Sequence, residues 1–276
     1  MHGLAGILAV KHAIQRIVLV IEFDGAKFHG WQRQDNAFTV QEALEIAIAK
    51  IEGKDSNPNF AAAGRTDSGV HATHMLIHAD VLRSMWQKSP HAYIKGLNYH
   101  LKGCGVLVHG IKAVAEDFHA RFDCFERRYQ YKIWNRSVSS ALYNKQTWWV
   151  FQPLDIEKMN QAASFVLGEH DFTTFRAAGC QANAPVRHLK VLEVKQEGHI
   201  ITIDVAADAF LYHMVRNLVG TLAAVGMGRW QPEYMKELLD NKNRCVAAQT
   251  APAQGLYFTD ALYPDFSAQD ISGMVG

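Results

Sequence analysis

The sequence predicts an α+β fold of two similar halves, with mainly antiparallel sheets flanked by helices and a cleft between the halves. Three observations predict it. Both halves carry strand patterns interrupted by helix patterns, two in the first half and three in the second. Of the 276 residues, 49% are hydrophobic, which is enough to bury a large core. The chain also lacks a glycine- and serine-rich linker. We place the seam between the halves near residues 115–118, and the short connection there predicts that the halves are tightly joined.

The first half, residues 14–116, opens with a strand pattern. Residues 15–23 (QRIVLVIEF) are rich in Ile and Val and end at an Asp-Gly turn, which is typical of a buried strand. Thr39 and Glu42 have capping-box spacing, and apolar residues then recur every three or four positions as far as Ile51. These features predict a helix. Further patterns predict strands at 59–63, 73–82 and 106–114 and a helix at 90–101.

The second half, residues 117–266, repeats this organisation loosely. Residues 128–134 alternate as a strand does, with Tyr129, Tyr131 and Ile133 on one face and Arg128, Gln130, Lys132 and Trp134 on the other. The remaining patterns predict helices at 155–167, 212–225 and 232–239, an antiparallel pair at 188–196 and 199–206, and a last strand at 256–262. Residues 1–13 are predicted to be an N-terminal extension of the fold and residues 267–276 a tail.

Composition excludes several classes of protein. The apolar content excludes disorder, and 20 Gly with 7 Pro exclude a collagen-like chain. The apolar run at residues 4–10 is too short to span a bilayer, and no other stretch approaches 18 apolar residues. Four cysteines without a CxxC pair indicate free, buried thiols in a reducing compartment. We therefore expect a cytoplasmic protein.

Residues 64–72 (GRTDSGVHA) form the first candidate site. Asp67 lies on a short loop between two predicted strands, bracketed by glycines, so a rigid scaffold would hold its carboxylate at an exposed tip. The pattern is also that of an ordinary Asx-turn, in which the side chain only bonds to its own backbone. The loop alone does not decide between the two.

Residues 210–217 (FLYHMVRN) form the second candidate. The helix is apolar almost all round and should be buried, so Arg216 needs a carboxylate partner. Its partner is either a structural acid or a catalytic carboxylate that the arginine keeps ionised. Spacing along the chain does not identify the partner.

Residues 121–131 (RFDCFERRYQY) form the third candidate. Aromatic rings interleaved with basic residues suit base stacking and phosphate contact, and Arg127 and Arg128 supply charge beside Tyr129. A half-buried strand with tyrosines in the core would show the same pattern.

Three histidines, His71, His74 and His78, raise the possibility of a metal-dependent hydrolase. No nearby cysteine or carboxylate completes a tetrahedral set, so we expect no metal. The chain also lacks GxGxxG, GxxxxGK[ST] and GxSxG, which leaves dinucleotide, phosphoryl-transfer and α/β-hydrolase chemistry without support.

Ten segments taken together resemble one family, the TruA-type tRNA pseudouridine synthases. They follow the family's order and cover roughly residues 15 to 264. The segments are 22–25 (EFDG), 28–34 (FHGWQRQ), 40–42 (VQE), 64–71 (GRTDSGVH), 117–122 (DFHARF), 127–131 (RRYQY), 168–172 (GEHDF), 174–176 (TFR), 210–220 (FLYHMVRNLVG) and 255–258 (GLYF).

The resemblance implies a role for five residues. Asp67 stands at the position of the catalytic aspartate, Arg216 at that of its ion-pair partner and Arg65 at that of an arginine that helps to open the RNA helix. Tyr129 matches the tyrosine that packs on the target base, and Leu256 the apolar residue lining the uracil pocket. The resemblance further implies the pseudouridine synthase fold, a homodimer, no cofactor or metal, and uridines 38, 39 and 40 of the tRNA anticodon stem-loop as substrates.

The chemistry agrees with these residues. Pseudouridine forms when the N1–C1′ bond breaks and C5 joins C1′, without redox change, so one carboxylate such as Asp67 can suffice as nucleophile or base. The sequence leaves open whether the carboxylate attacks C1′, attacks C6, or acts after loss of a C2′ proton, in which case Tyr129 is the candidate base. A non-catalytic RNA-binding protein of the same fold is the alternative, although a pure binder needs no buried arginine paired with a loop aspartate.

The net charge of +1 argues against nucleic acid only when it is averaged over the chain. Residues 127–154, 172–192 and 209–232 contain arginines or lysines and no acid. We therefore expect a locally basic cleft whose RNA binding weakens as salt rises.

Overall fold

The computed structural model describes residues 13–54 and 56–276, so the predicted extension at 1–13 lies, apart from Ala13, outside the described residues. Ten strands of the described chain form one sheet. They are β1 (Ile14–Phe23), β2 (Ala61–Ala62), β3 (His71–Leu82), β4 (Val106–Ala113), β5 (Glu126–Asn135), β6 (Trp148–Val150), β7 (Gly168–Asp171), β8 (Val186–Glu197), β9 (Ile200–Ala207) and β10 (Leu256–Leu262).

Seven α-helices of the described chain flank this sheet. They are α1 (Val40–Glu52), α2 (Arg83–Lys88), α3 (Pro90–Leu101), α4 (Ile156–Ser164), α5 (Met214–Gly226), α6 (Tyr234–Asn241) and α7 (Ala268–Ile271). Short 3-10 turns occupy Gly25–Lys27, Thr173–Phe175, Arg244–Val246 and Ala253–Gly255. The predicted α+β class with a mainly antiparallel sheet is confirmed.

The strand order is β4-β1-β3-β10-β5-β9-β8-β7, with β2 beside β3 and β6 beside β5. The strands of both predicted halves therefore belong to one sheet. Strand β10 joins them, since it pairs parallel with β3 and antiparallel with β5. The division into halves at residues 115–118 stays a prediction.

Local signals explain most of these elements. Thr39 Oγ1 accepts a hydrogen bond from the Glu42 N–H at 3.3 Å, so the predicted cap begins α1. Helix α5 is buried over most of its surface, as its apolar sequence requires. Helix α2 and the short strands β6 and β7 were not predicted from the sequence.

The last ten residues, predicted as a tail, fold back against β4. Ser267 caps α7, whose Ala268 and Ile271 are buried. The N–H of Gly276 donates to the Ile111 carbonyl at 3.1 Å. This stretch therefore covers part of β4, the strand at one edge of the sheet.

None of the helices in the described part of the chain has the length and apolar character required to traverse a bilayer. The four cysteines are free, but only Cys124 is buried, and Cys245 is exposed.

Candidate active site

The loop between β2 and β3 carries Asp67, and backbone hydrogen bonds fix its position. The N–H of Trp31 donates to the Thr66 carbonyl at 3.2 Å, and the N–H of Val70 closes the turn on the Asp67 carbonyl at 3.1 Å. Gly30, at φ +89°, lies so close that a β-carbon there would be 2.6 Å from the Thr66 oxygen. Only glycine fits this conformation and this contact, so the glycine fixes the position of the loop.

The Asp67 carboxylate contacts α5 instead of capping its own turn. Arg216 Nη1 donates to Asp67 Oδ2 at 3.1 Å, across 149 residues of sequence. The Nε of the same guanidinium donates to the Ala251 carbonyl at 2.8 Å, which fixes the arginine's direction. The sequence did not identify the carboxylate partner of Arg216. In the structure that partner is Asp67.

A second group contacts the same oxygen and was not anticipated. His213 Nε2 lies 3.1 Å from Asp67 Oδ2. Burial lowers the pKa of His213, and the charges of Arg216 and Arg244 lower it further against the opposing effect of Asp67. His213 is the left-handed residue immediately before α5, so helical spacing from Arg216 does not predict its contact with Asp67.

Tyr129 and Leu256 lie on the two neighbouring strands β5 and β10. The Tyr129 ring is buried and packs edge-to-face on Phe210 and Phe258, with ring centroids 5.1 and 5.0 Å apart. Burial, and secondarily the Asp67 charge, raises the pKa of the Tyr129 hydroxyl, so it stays protonated at neutral pH. Leu256, the first residue of β10, is buried beside them.

A cavity of about 690 Å³ opens in front of these groups, a size common for small-ligand sites. Five arginines line it, whereas Asp67 is the one carboxylate among the described lining residues. The arginines are Arg65, Arg121, Arg127, Arg187 and Arg216. The local charge is therefore basic despite the net charge of +1, and it suits a phosphate-bearing ligand.

The two predicted phosphate contacts on β5 differ in placement. Arg127 lines the cavity, but its guanidinium donates to the carbonyls of Ala63, Cys124 and Asp208 at 3.1, 2.7 and 2.7 Å. It therefore ties the start of the Asp67 loop to its surroundings. Arg128 does not line the cavity: strand alternation turns it to the other face, where its Nε donates to Glu126 at 2.8 Å. Its role in substrate binding stays a prediction.

The histidines considered for a metal have other contacts. Nδ1 of His71 accepts from the Gly25 N–H at 3.0 Å, and Nδ1 of His78 accepts from the Ala120 N–H at 3.0 Å. His74 stacks on His109 with centroids 5.7 Å apart. Over the described ranges, no cluster of three or more His, Cys, Asp or Glu side chains has the geometry to hold a metal ion.

Comparisons with known proteins point to one family. The model of a family described as tRNA pseudouridine synthase matches residues 19–123 and 162–264. The chain is 44% identical over 266 residues to "tRNA pseudouridine synthase A" of Dechloromonas aromatica (strain RCB), covering 94% of this chain and 99% of the relative. It is 46% identical over 250 residues to the protein of the same name in Rhodospirillum centenum, covering 91% and 100%.

One solved structure, titled "Crystal Structure of a Cbf5-Nop10-Gar1 Complex", aligns with 88% of this chain and 48% of its own. Its TM-score is 0.37 at 12% identity, a likeness too low to support an inference.

Proposed function

This chain belongs to the tRNA pseudouridine synthase family, and from that premise we propose that it modifies uridines 38, 39 and 40 of the anticodon stem-loop with Asp67 as the catalytic residue. As a member of the family it is an enzyme that isomerises uridine to pseudouridine in tRNA. The positions and the residue roles are the proposal.

One observation carries the role of Asp67. Its Oδ2 is held by Arg216 and His213, each at 3.1 Å, at the wall of an arginine-lined cavity. Isomerisation breaks N1–C1′ and forms C5–C1′ without redox change, so a positioned carboxylate supplies the nucleophile or base that the reaction requires. Burial raises the pKa of the Tyr129 hydroxyl, so the phenol is protonated in the site without substrate.

The shape of the site requires the target base to leave its stack. Unstacking costs a few kcal/mol, and stacking against Tyr129 returns about 1–3 kcal/mol. Leu256 supplies an apolar wall for the uracil ring. Arg65 is exposed at the cavity, and no carboxylate of the described residues lies within 4 Å of it, which suits insertion into the RNA.

The partner and location follow from the same proposal. A homodimer would let the long anticodon arm lie across two subunits, and a tRNA substrate favours the cytoplasm. The isomerisation as written consumes no cofactor.

The test is to incubate the protein with unmodified tRNA and map pseudouridine. Wild-type protein should modify positions 38, 39 and 40, whereas Asp67→Asn and Asp67→Ala should form no pseudouridine while still binding tRNA. Asp240→Asn, an exposed acid on α6, is the matched control and should retain full activity. Turnover by Asp67→Asn would remove Asp67 from its role, and modification elsewhere would refute the positions. Binding without any product in the wild type would favour the non-catalytic alternative.

A further inference from the structure

We propose that His213 is a positioning residue for Asp67: its imidazole Nε2 contacts Oδ2 and, together with Arg216, commits that oxygen, so that Oδ1 is the one that acts on the uridine. This inference rests on the proposed role of Asp67. Both contacts, His213 Nε2 and Arg216 Nη1, fall on Oδ2 at 3.1 Å. When two nitrogens contact one carboxylate oxygen, and that of Arg216 donates a hydrogen bond to it, the other oxygen has a defined direction.

The backbone at His213 supports a specific role for this side chain. Its φ of +60° and ψ of +8° are left-handed, a conformation that costs a residue with a β-carbon about 1–3 kcal/mol. Hydrogen bonds fix the backbone on both sides, since the Met214 N–H donates to Leu211 and the Asn217 N–H donates to His213, at 3.0 and 2.9 Å. The fold therefore maintains a strained backbone where the imidazole reaches Asp67.

The surroundings of His213 define its charge state. Asp67 and Arg216 face it from the loop and from α5, and Arg244 contributes a second positive charge. The Tyr212 ring lies against it at an interplanar angle of 31°, with ring centroids 4.0 Å apart. Burial and the two arginines lower the pKa of His213, so the ring is neutral at pH 7. A neutral donor orients the carboxylate without adding a second cation, which would reduce its basicity and nucleophilicity.

The experiment compares two substitutions in the full-length protein. His213→Gly removes the imidazole, and glycine adopts the left-handed backbone without strain. A loss of rate in this variant is therefore due to the missing side chain and not to a strained backbone. His213→Gln retains an amide N–H with about the reach of Nε2. We expect the single-turnover rate of pseudouridine formation to fall about 10–100-fold in His213→Gly, which corresponds to one hydrogen bond to a charged group. The tRNA dissociation constant should stay unchanged, and His213→Gln should recover most of the rate.

The control is His199→Gln, the same change at an exposed histidine in the β8–β9 turn, which should keep the wild-type rate. The inference is overturned if His213→Gly keeps the wild-type rate, if His213→Gln is as slow as His213→Gly, or if tRNA affinity falls in parallel with the rate. Asp67→Asn in the same assay separates the two proposals. Turnover there refutes the role of Asp67, whereas an inactive Asp67→Asn beside a fully active His213→Gly refutes only the role of His213.

Discussion

Gly30→Ala should slow the enzyme because the new β-carbon displaces the loop that carries Asp67. The alanine β-carbon would lie 2.6 Å from the Thr66 carbonyl oxygen, whereas ordinary contacts begin at 3.4 Å, so the oxygen must retreat by about 0.8 Å. Thr66 precedes Asp67 directly and also accepts the hydrogen bond from Trp31. A displacement of about 1 Å at a reacting group can cost on the order of 100-fold in rate, so we expect a loss of that size.

Gly53→Ala is the matched control for the backbone cost. Gly53 also has a positive φ, +106°, but a β-carbon there meets nothing within 4 Å. Gly53→Ala should lose about 1–3 kcal/mol of unfolding free energy, or about 2–4 °C in melting temperature for each kcal/mol. Gly30→Ala should lose at least as much, because it adds the clash with Thr66. Only Gly30→Ala should lose turnover of unmodified tRNA at a temperature where both remain folded. Wild-type turnover by folded Gly30→Ala would refute the claim that this glycine sets the position of Asp67.

Two further predictions concern charge. Arg65→Ala should lower the slope of log Kd for tRNA against log salt concentration by about 1. The control is Arg83→Ala, which removes an arginine paired with Glu116 and should leave the slope unchanged. Equal slopes for the two variants would show that Arg65 contacts no phosphate. Burial lowers the pKa of His78 to about 4, below the usual 6.5 of an unfolded chain, so the unfolded state binds more protons between these values and stability falls as pH drops through them. His78→Asn keeps an acceptor for the Ala120 N–H and should flatten urea-unfolding stability between pH 6.5 and 4; an unchanged slope would contradict this origin.

Several elements could be predicted because their signals are local. Helix α3 and strand β10 occupy the predicted residues, since Pro90 at the first turn and the apolar run from Leu256 mark their ends. The capping residue Thr39 likewise marks the start of α1. Such features need only the residues within one or two turns.

What could not be predicted depends on contacts made after folding. Helix α2 begins at Arg83, and the residue before it, Leu82, has no side chain that could cap the helix, so the sequence does not signal its start. His213 reaches Asp67 only because its backbone is left-handed, a property that its neighbours in sequence do not reveal. Arg128 is the opposite case: the alternation of β5 already predicts the face opposite Tyr129, and the structure places it there, away from the cavity.

The central place of β10 has a consequence for synthesis. Strands β3 and β5 flank it, yet roughly 120 residues separate the end of β5 from the start of β10. At about 5–20 residues per second, a ribosome leaves these two strands with open edges for roughly 6–24 s. Open edges invite pairing with other chains, so the nascent protein is vulnerable during that interval. The active site is complete only when β10, the last strand, has paired with β3 and β5. A chain terminated before β10 would therefore aggregate instead of acting as a slower enzyme.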